Sequence, residues 1–225
     1  MAAPLTSVVQ KALKKHTATV IFIHGLGDSG SGWAPVAREL SQHLPHVKFV
    51  LPNAPVQPVT LNNGFKMPSW YDIYTLGDIN RREDQEGMLR SVASINKLIS
   101  EEVDQDIPSE RIVVAGFSQG AAMTLLTGLT SERKLAGMAA LSGYLPLRSL
   151  IFSMASDVSR SLPIFMAHGQ EDEVVSYHFG QQSAEALKQK KYNVDFHTYP
   201  NMGHSSCLEE VQELTRFLAR VLPEN

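Results

Sequence analysis

Ile112-Val113-Val114-Ala115-Gly116-Phe117-Ser118-Gln119-Gly120-Ala121-Ala122-Met123-Thr124-Leu125-Leu126 is the stretch on which the fold turns. From Arg111 to Ala115 it is a short β-branched run suited to a buried strand, and from Ala121 to Thr127 it is small and helix-tolerant. A bare Gly-x-Ser-x-Gly means little, since glycine and serine are common. Strand before it and helix after it make it a nucleophile elbow: a sharp turn that strains the serine backbone and lifts its hydroxyl above the sheet edge. Glycines two residues either side let strand and helix pass without Cβ collisions.

Outward from the elbow, apolar strands alternate with amphipathic helices, the rhythm of an α/β fold. Thr19–Ile23 reads as a strand running into the glycine-rich loop His24-Gly25-Leu26-Gly27, and Trp33–Leu44 as a helix with Pro35 in its first turn. Val47–Leu51 is the next strand. Residues 52–72, with Pro52, Pro55, Pro58, Pro68 and Asn62-Asn63-Gly64, form an irregular excursion holding at most a small hairpin. Leu89, Val92, Ile95 and Ile99 recur at helical spacing within Arg82–Val103, the longest helix. Gly137–Leu141, Leu162–Ala167 and Val194–Tyr199 read as strands and Ser176–Gln189 as a helix. Ser206 with Glu209 forms a capping box that opens a final helix striped by Leu208, Val211, Leu214, Leu218 and Val221. No repeat, linker or low-complexity tract interrupts the pattern, so residues 1–225 are expected to form a single domain.

The chain has 225 residues, 43% hydrophobic and 19% charged, which describes an ordinary globular protein. A formal net charge of −3 and the lack of any basic stripe argue against nucleic acid as a partner. The short basic patch Lys11 to Lys15 reads as a solvated turn or strand edge. Cys207 is the single cysteine, expected to pack quietly in the last helix, and no Cys/His set has zinc spacing. Neither a signal peptide, a membrane span, a myristoylation pattern nor a C-a-a-X box is read here, and the expected location is cytoplasmic, with the nucleus as a second compartment.

A serine nucleophile needs a histidine to take its proton and a carboxylate to fix that histidine's tautomer. In α/β-hydrolases these follow in the chain order Ser, Asp/Glu, His, on loops leaving the C-terminal ends of strands. After Ser118 the histidines are His168, His178, His197 and His204. His168 caps a strand before the acid loop, His178 lies in a helix and His197 within the last strand. His204 alone sits in the required loop, between the last strand and the last helix. For the acid, Glu171, Asp172 and Glu173 all satisfy the spacing. The oxyanion hole needs two backbone N–H groups: one from Gln119, after the nucleophile, and one from Leu26 in the first glycine-rich loop. His24 is expected to be structural.

At these residues the chain resembles the acyl-protein thioesterases, which are also described as small carboxylesterases and lysophospholipases. The matching stretches are His24-Gly25-Leu26-Gly27-Asp28 with Trp33, Pro52-Asn53-Ala54-Pro55, Met67-Pro68-Ser69-Trp70-Tyr71-Asp72, Gly116-Phe117-Ser118-Gln119-Gly120-Ala121, Leu141-Ser142-Gly143-Tyr144-Leu145-Pro146, His168-Gly169 with Asp172, and Gly203-His204. The resemblance implies an α/β-hydrolase fold with a mostly parallel central sheet flanked by helices, and it selects Asp172 as the acid. It implies hydrolysis of fatty-acyl thioesters on protein cysteines, with lysophospholipids and simple esters as further substrates, and needs no metal or organic cofactor. It also implies an acyl groove, for which Leu26, Met67, Trp70 and Leu76 are the candidates. A transient encounter with membrane surfaces and a monomer or weak homodimer complete the expectation. Some relatives carry an acylated cysteine near the N-terminus, which this sequence lacks. The competing readings are a lysophospholipase or broad carboxylesterase using the same residues, and a non-catalytic binding protein on the same fold.

Overall fold

Runs of β-branched and small apolar residues can be buried on both faces of a parallel sheet, and this chain supplies them at regular intervals. The computed structural model describes residues 4–78 and 82–224. In chain order the elements are β1 (Ser7–Gln10), β2 (Ala18–Ile23), α1 (Gly30–His43), β3 (Val47–Pro52), β4 (Val56–Val59), β5 (Phe65–Pro68), α2 (Gln85–Val103), β6 (Ile112–Phe117), α3 (Gln119–Thr130), β7 (Gly137–Leu141), the short α4 (Ile151–Met154), β8 (Pro163–Gly169), α5 (Tyr177–Gln189), β9 (Asn193–Tyr199) and α6 (Leu208–Val221). The main sheet has the order β1-β3-β2-β6-β7-β8-β9. Only β1 runs antiparallel to its neighbour; the other pairs are parallel.

Alternation along the central strands divides the core into two layers. Val20 and Phe22 of β2 pack with Trp33 and Leu40 of α1 and with Leu214 and Phe217 of α6. Ile21 and Ile23 point the other way, into a layer built with Met88 and Ile95 of α2, Leu125 of α3 and Leu187 of α5. α3 lies deepest: every residue from Gln119 to Leu129 is buried, which is why its sequence is apolar and small all round rather than striped. With the sheet clamped on both faces, the loops at the C-terminal ends of β2, β6, β8 and β9 converge. They carry Leu26, Ser118, Asp172 and His204.

Three local expectations are corrected. α2 starts at Gln85 rather than Arg82, because Asp84 caps it by accepting the Gly87 N–H at 2.9 Å. Leu89 is 37% exposed, and Met88 takes its place on the buried stripe. The Ser206–Glu209 capping box does not form. α6 begins one residue later, with Cys207 as the N-cap and no side-chain bond to the helix, so the cysteine sits at the helix mouth rather than inside it.

The first turn of α6 buries a carboxyl. Glu210 is completely buried and neither of its oxygens has a hydrogen-bond partner among the described residues. Burial pushes it up to about 8. The folded protein therefore keeps a proton that the unfolded chain releases near pH 4, so this group's contribution to stability falls as pH rises between about 4 and 8. Glu210→Met removes the group without leaving a buried polar atom. Urea unfolding should show the variant losing roughly 2–4 kcal/mol less than wild type between pH 5 and 8. Parallel stability curves would contradict this.

Candidate active site

Ser118 stands between β6 and α3 with φ 56° and ψ −119°, a left-handed conformation that costs energy for any residue with a Cβ. The turn is held by the Ser118 N–H, which donates to the Leu141 carbonyl of β7 at 2.8 Å. Its tightness explains the flanking glycines. A Cβ on Gly116 would collide with the Gly120 carbonyl, and one on Gly120 with the Ile23 carbonyl of β2.

His204 reaches the serine from the loop between β9 and α6. Its Nε2 lies 2.9 Å from Ser118 Oγ and its Nδ1 lies 2.7 Å from Asp172 Oδ2. With Nδ1–H donating to the carboxylate, Nε2 is left to accept the serine proton. The Phe117 ring packs on the imidazole at 4.8 Å between centroids and limits its swing. Asp172 is buried, whereas Glu171 and Glu173 on either side are exposed. Its Oδ1 accepts the Val174 and Val175 N–H groups, each at 2.9 Å. Burial alone would raise the Asp172 pKa, but hydrogen bonds from His168 and His204, the His204 charge and the Val175 amide outweigh it and hold the group well below the carboxylate range.

The Gln119 amide opens α3, so it has no carbonyl a turn earlier to bond and it carries the positive end of the helix. In the loop after β2, the Gly27 and Asp28 amides donate to Pro68 and Gly25 carbonyls, while the Leu26 amide has no partner among the described residues. These two amides beside Ser118 are the free donors expected of an oxyanion hole. His24 is structural. Its Nδ1 donates to the Gly25 carbonyl at 2.6 Å and its Nε2 accepts the Ala54 N–H at 3.0 Å, while burial lowers its pKa and favours this neutral form.

A cavity of about 270 Å³ opens from Ser118 and His204. Leu26, Leu61, Ile73, Leu76, Val175 and Phe179 give it apolar walls.

The profile of the Phospholipase/Carboxylesterase family matches residues 5–222. The chain belongs to this family. It is 52% identical to acyl-protein thioesterase 1 of Mycosarcoma maydis over 93% of either chain. It is 50% identical to acyl-protein thioesterase 1 of Neurospora crassa over 95% of this chain and 90% of the relative. Among solved structures, acyl-protein thioesterase 2 of Zea mays superposes with a TM-score of 0.84 at 32% identity, covering 96% of this chain and 99% of that one. Arabidopsis thaliana SOBER1 gives 0.87 at 32% identity, over 91% and 99%.

Within this phospholipase/carboxylesterase scaffold the four groove candidates part company. Leu26 and Leu76 line the cavity; Met67 and Trp70 do not. Trp70 is 1% exposed, with its indole N–H donated to the His24 carbonyl at 2.9 Å, so it braces the first loop from behind. Met67 stays on the hairpin, its sulfur 3.3 Å from the Asn62 side-chain nitrogen. Tyr71, Ile73, Tyr144, Val174, Val175 and Phe179 were not foreseen as walls. The one local signal was the proximity of Val174 and Val175 to Asp172. Leu76 is 44% exposed and lies on the rim, where only a long substrate would cover it. Leu76→Ala should therefore lower kcat/KM for decanoyl or longer chains by roughly three- to tenfold and leave acetyl esters unchanged, at ~0.8 kcal/mol per covered methylene. An equal loss on both would mean that Leu76 only packs the fold.

Proposed function

We propose that this protein is a serine hydrolase that removes fatty-acyl groups from protein cysteines by cleaving the thioester. The observation that carries the reading is the continuous chain Ser118 Oγ, His204, Asp172, placed at the mouth of an apolar cavity. The relatives named as acyl-protein thioesterases support the substrate class.

His204 Nε2 takes the Ser118 proton as Oγ attacks the thioester carbonyl carbon. The Leu26 and Gln119 amides hold the oxyanion, at a value of ~10²–10³ in turnover for each such donor. The C–S bond then breaks, the thiol departs with the proton from His204, and the acyl chain stays on Ser118 as an ester. A water molecule, deprotonated by His204, repeats the sequence and releases the fatty acid. Asp172 remains ionised throughout and stabilises the imidazolium.

Lysophospholipids carry the same acyl chain on an oxygen ester and could use the same cavity. A side-by-side kinetic panel of palmitoyl-peptide thioester, lysophosphatidylcholine and short aryl ester decides between them. The thioester is expected to have the highest kcat/KM. A faster lysolipid would make the protein a lysophospholipase with incidental thioesterase activity.

A further inference from the structure

A second histidine stands against Asp172. His168, near the end of β8, is 1% exposed. Its Nε2 lies 2.8 Å from the Val175 carbonyl and 3.3 Å from Asp172 Oδ2. Both neighbours are acceptors, so Nε2 carries the proton; it donates to the Val175 carbonyl and sets the polarised N–H beside Asp172 Oδ2. The Val175 N–H in turn donates to Asp172 Oδ1. Two hydrogen bonds through the Val175 backbone and one close contact thus link carboxylate and imidazole, and His204 Nδ1 bonds Oδ2 at 2.7 Å.

The imidazole is fixed from outside as well. The Tyr177 ring of α5 meets it edge-on at 6.0 Å between centroids. Gly180, a turn further along α5, faces Nδ1 where a Cβ would collide. Asp172 and Tyr177 are the titratable groups facing it from the acid loop and from α5, and β9 sets Thr198 opposite it in register.

We propose that His168 is a positioning residue for the reaction: it locks the 172–175 turn and keeps Asp172 Oδ2 aimed at His204. The assignment rests on the serine-hydrolase reading above. The depressed pKa of Asp172, to which the neighbouring His168 contributes, agrees with it. Because Val174 and Val175 also line the cavity, the acid and one wall of the acyl site form a single unit.

His168→Gln keeps an amide N–H near the Nε2 position; His168→Leu removes it. Both are compared with wild type for thermal unfolding and for kcat, KM and the pH profile of kcat/KM on a medium-chain aryl ester. His168→Leu should lose ten- to hundredfold in kcat, as a misplaced catalytic group does, with a smaller rise in KM from the loosened Val174–Val175 wall. Without the His168 donor, more of the charge on Oδ2 falls to His204, the base keeps its proton more tightly, and the acidic limb of kcat/KM moves to higher pH. His168→Gln should restore kcat to within a few-fold of wild type, with an unmoved limb. If the Leu variant does not fold, His168→Asn replaces it, since its amide is too short to reach Oδ2. Wild-type kcat and pH profile in the donorless variant would overturn the assignment, as would equal losses in both variants. A wild-type protein that neither hydrolyses esters nor labels with a fluorophosphonate would overturn the hydrolase reading, and this assignment with it.

Discussion

Ser118→Ala is expected to abolish fluorophosphonate labelling and to cut hydrolysis by ~10⁵–10⁶, the scale on which removal of a triad serine acts. The geometry leaves no substitute. Ser118 Oγ is the hydroxyl within 2.9 Å of His204 Nε2. Ser142 also has a positive φ, at 49°, but it is fully buried at the end of β7. Ser205 is exposed on the His204 loop, and both ring nitrogens of its neighbour His204 are turned to Ser118 and Asp172 instead. The fold should survive, since alanine meets the same backbone strain as serine and only the contact with His204 is lost. Intact-mass analysis after probe treatment, with circular dichroism as the folding control, reads both outcomes. Probe mass on Ser142 or Ser205 in the wild type would refute the nucleophile assignment.

Asp172→Asn is expected to lower kcat by about 10⁴ with little change in KM. The asparagine oxygen would stay with the Val174 and Val175 amides, which donate to Oδ1 at 2.9 Å. That turns an NH₂ group toward His204 Nδ1. The imidazole must then present its bare nitrogen to residue 172 and its N–H to Ser118, so it can no longer accept the serine proton. Glu171→Gln and Glu173→Gln should be near wild type, because both side chains are exposed. A larger loss in either than in Asp172→Asn would move the acid to that residue. The pH dependence of stability gives a second readout. The folded pKa of Asp172 is depressed, so its stabilising contribution is full above about pH 4 and is lost as pH falls further. Asp172→Asn should remove that share of the acid sensitivity.

The elbow and the base were legible because their signals are local. A strand, a turn of defined glycine spacing and a helix are contiguous, and His204 follows from the order of the elements. The choice among Glu171, Asp172 and Glu173 was not open to spacing, since it depends on which residue the turn buries. Trp70 misled for a similar reason: a loop tryptophan next to apolar residues suits a groove wall, and the carbonyl that claims its N–H belongs to His24, 46 residues away in sequence. Nor could sequence pair the hydroxyls of Tyr71 and Tyr144, which meet at 2.9 Å from two separate loops of the cavity. β1 went unread because four residues with an exposed Val9 carry little period, and its strand character comes from pairing with β3 across the edge. The missing capping box shows the limit of motif reading: the residue types were right and the helix began one position later.

Formation of an acyl-serine from a thioester is tested by letting methanol compete with water for the intermediate. The same long acyl chain is offered once as a peptide thioester and once as an aryl ester, and the ratio of methyl ester to free fatty acid is measured for each. A common acyl-enzyme has lost its leaving group before the nucleophile arrives, so identical ratios are expected from both donors. Ratios that differ between thioester and aryl ester would mean that water attacks the thioester directly, and the covalent role given to Ser118 would be wrong.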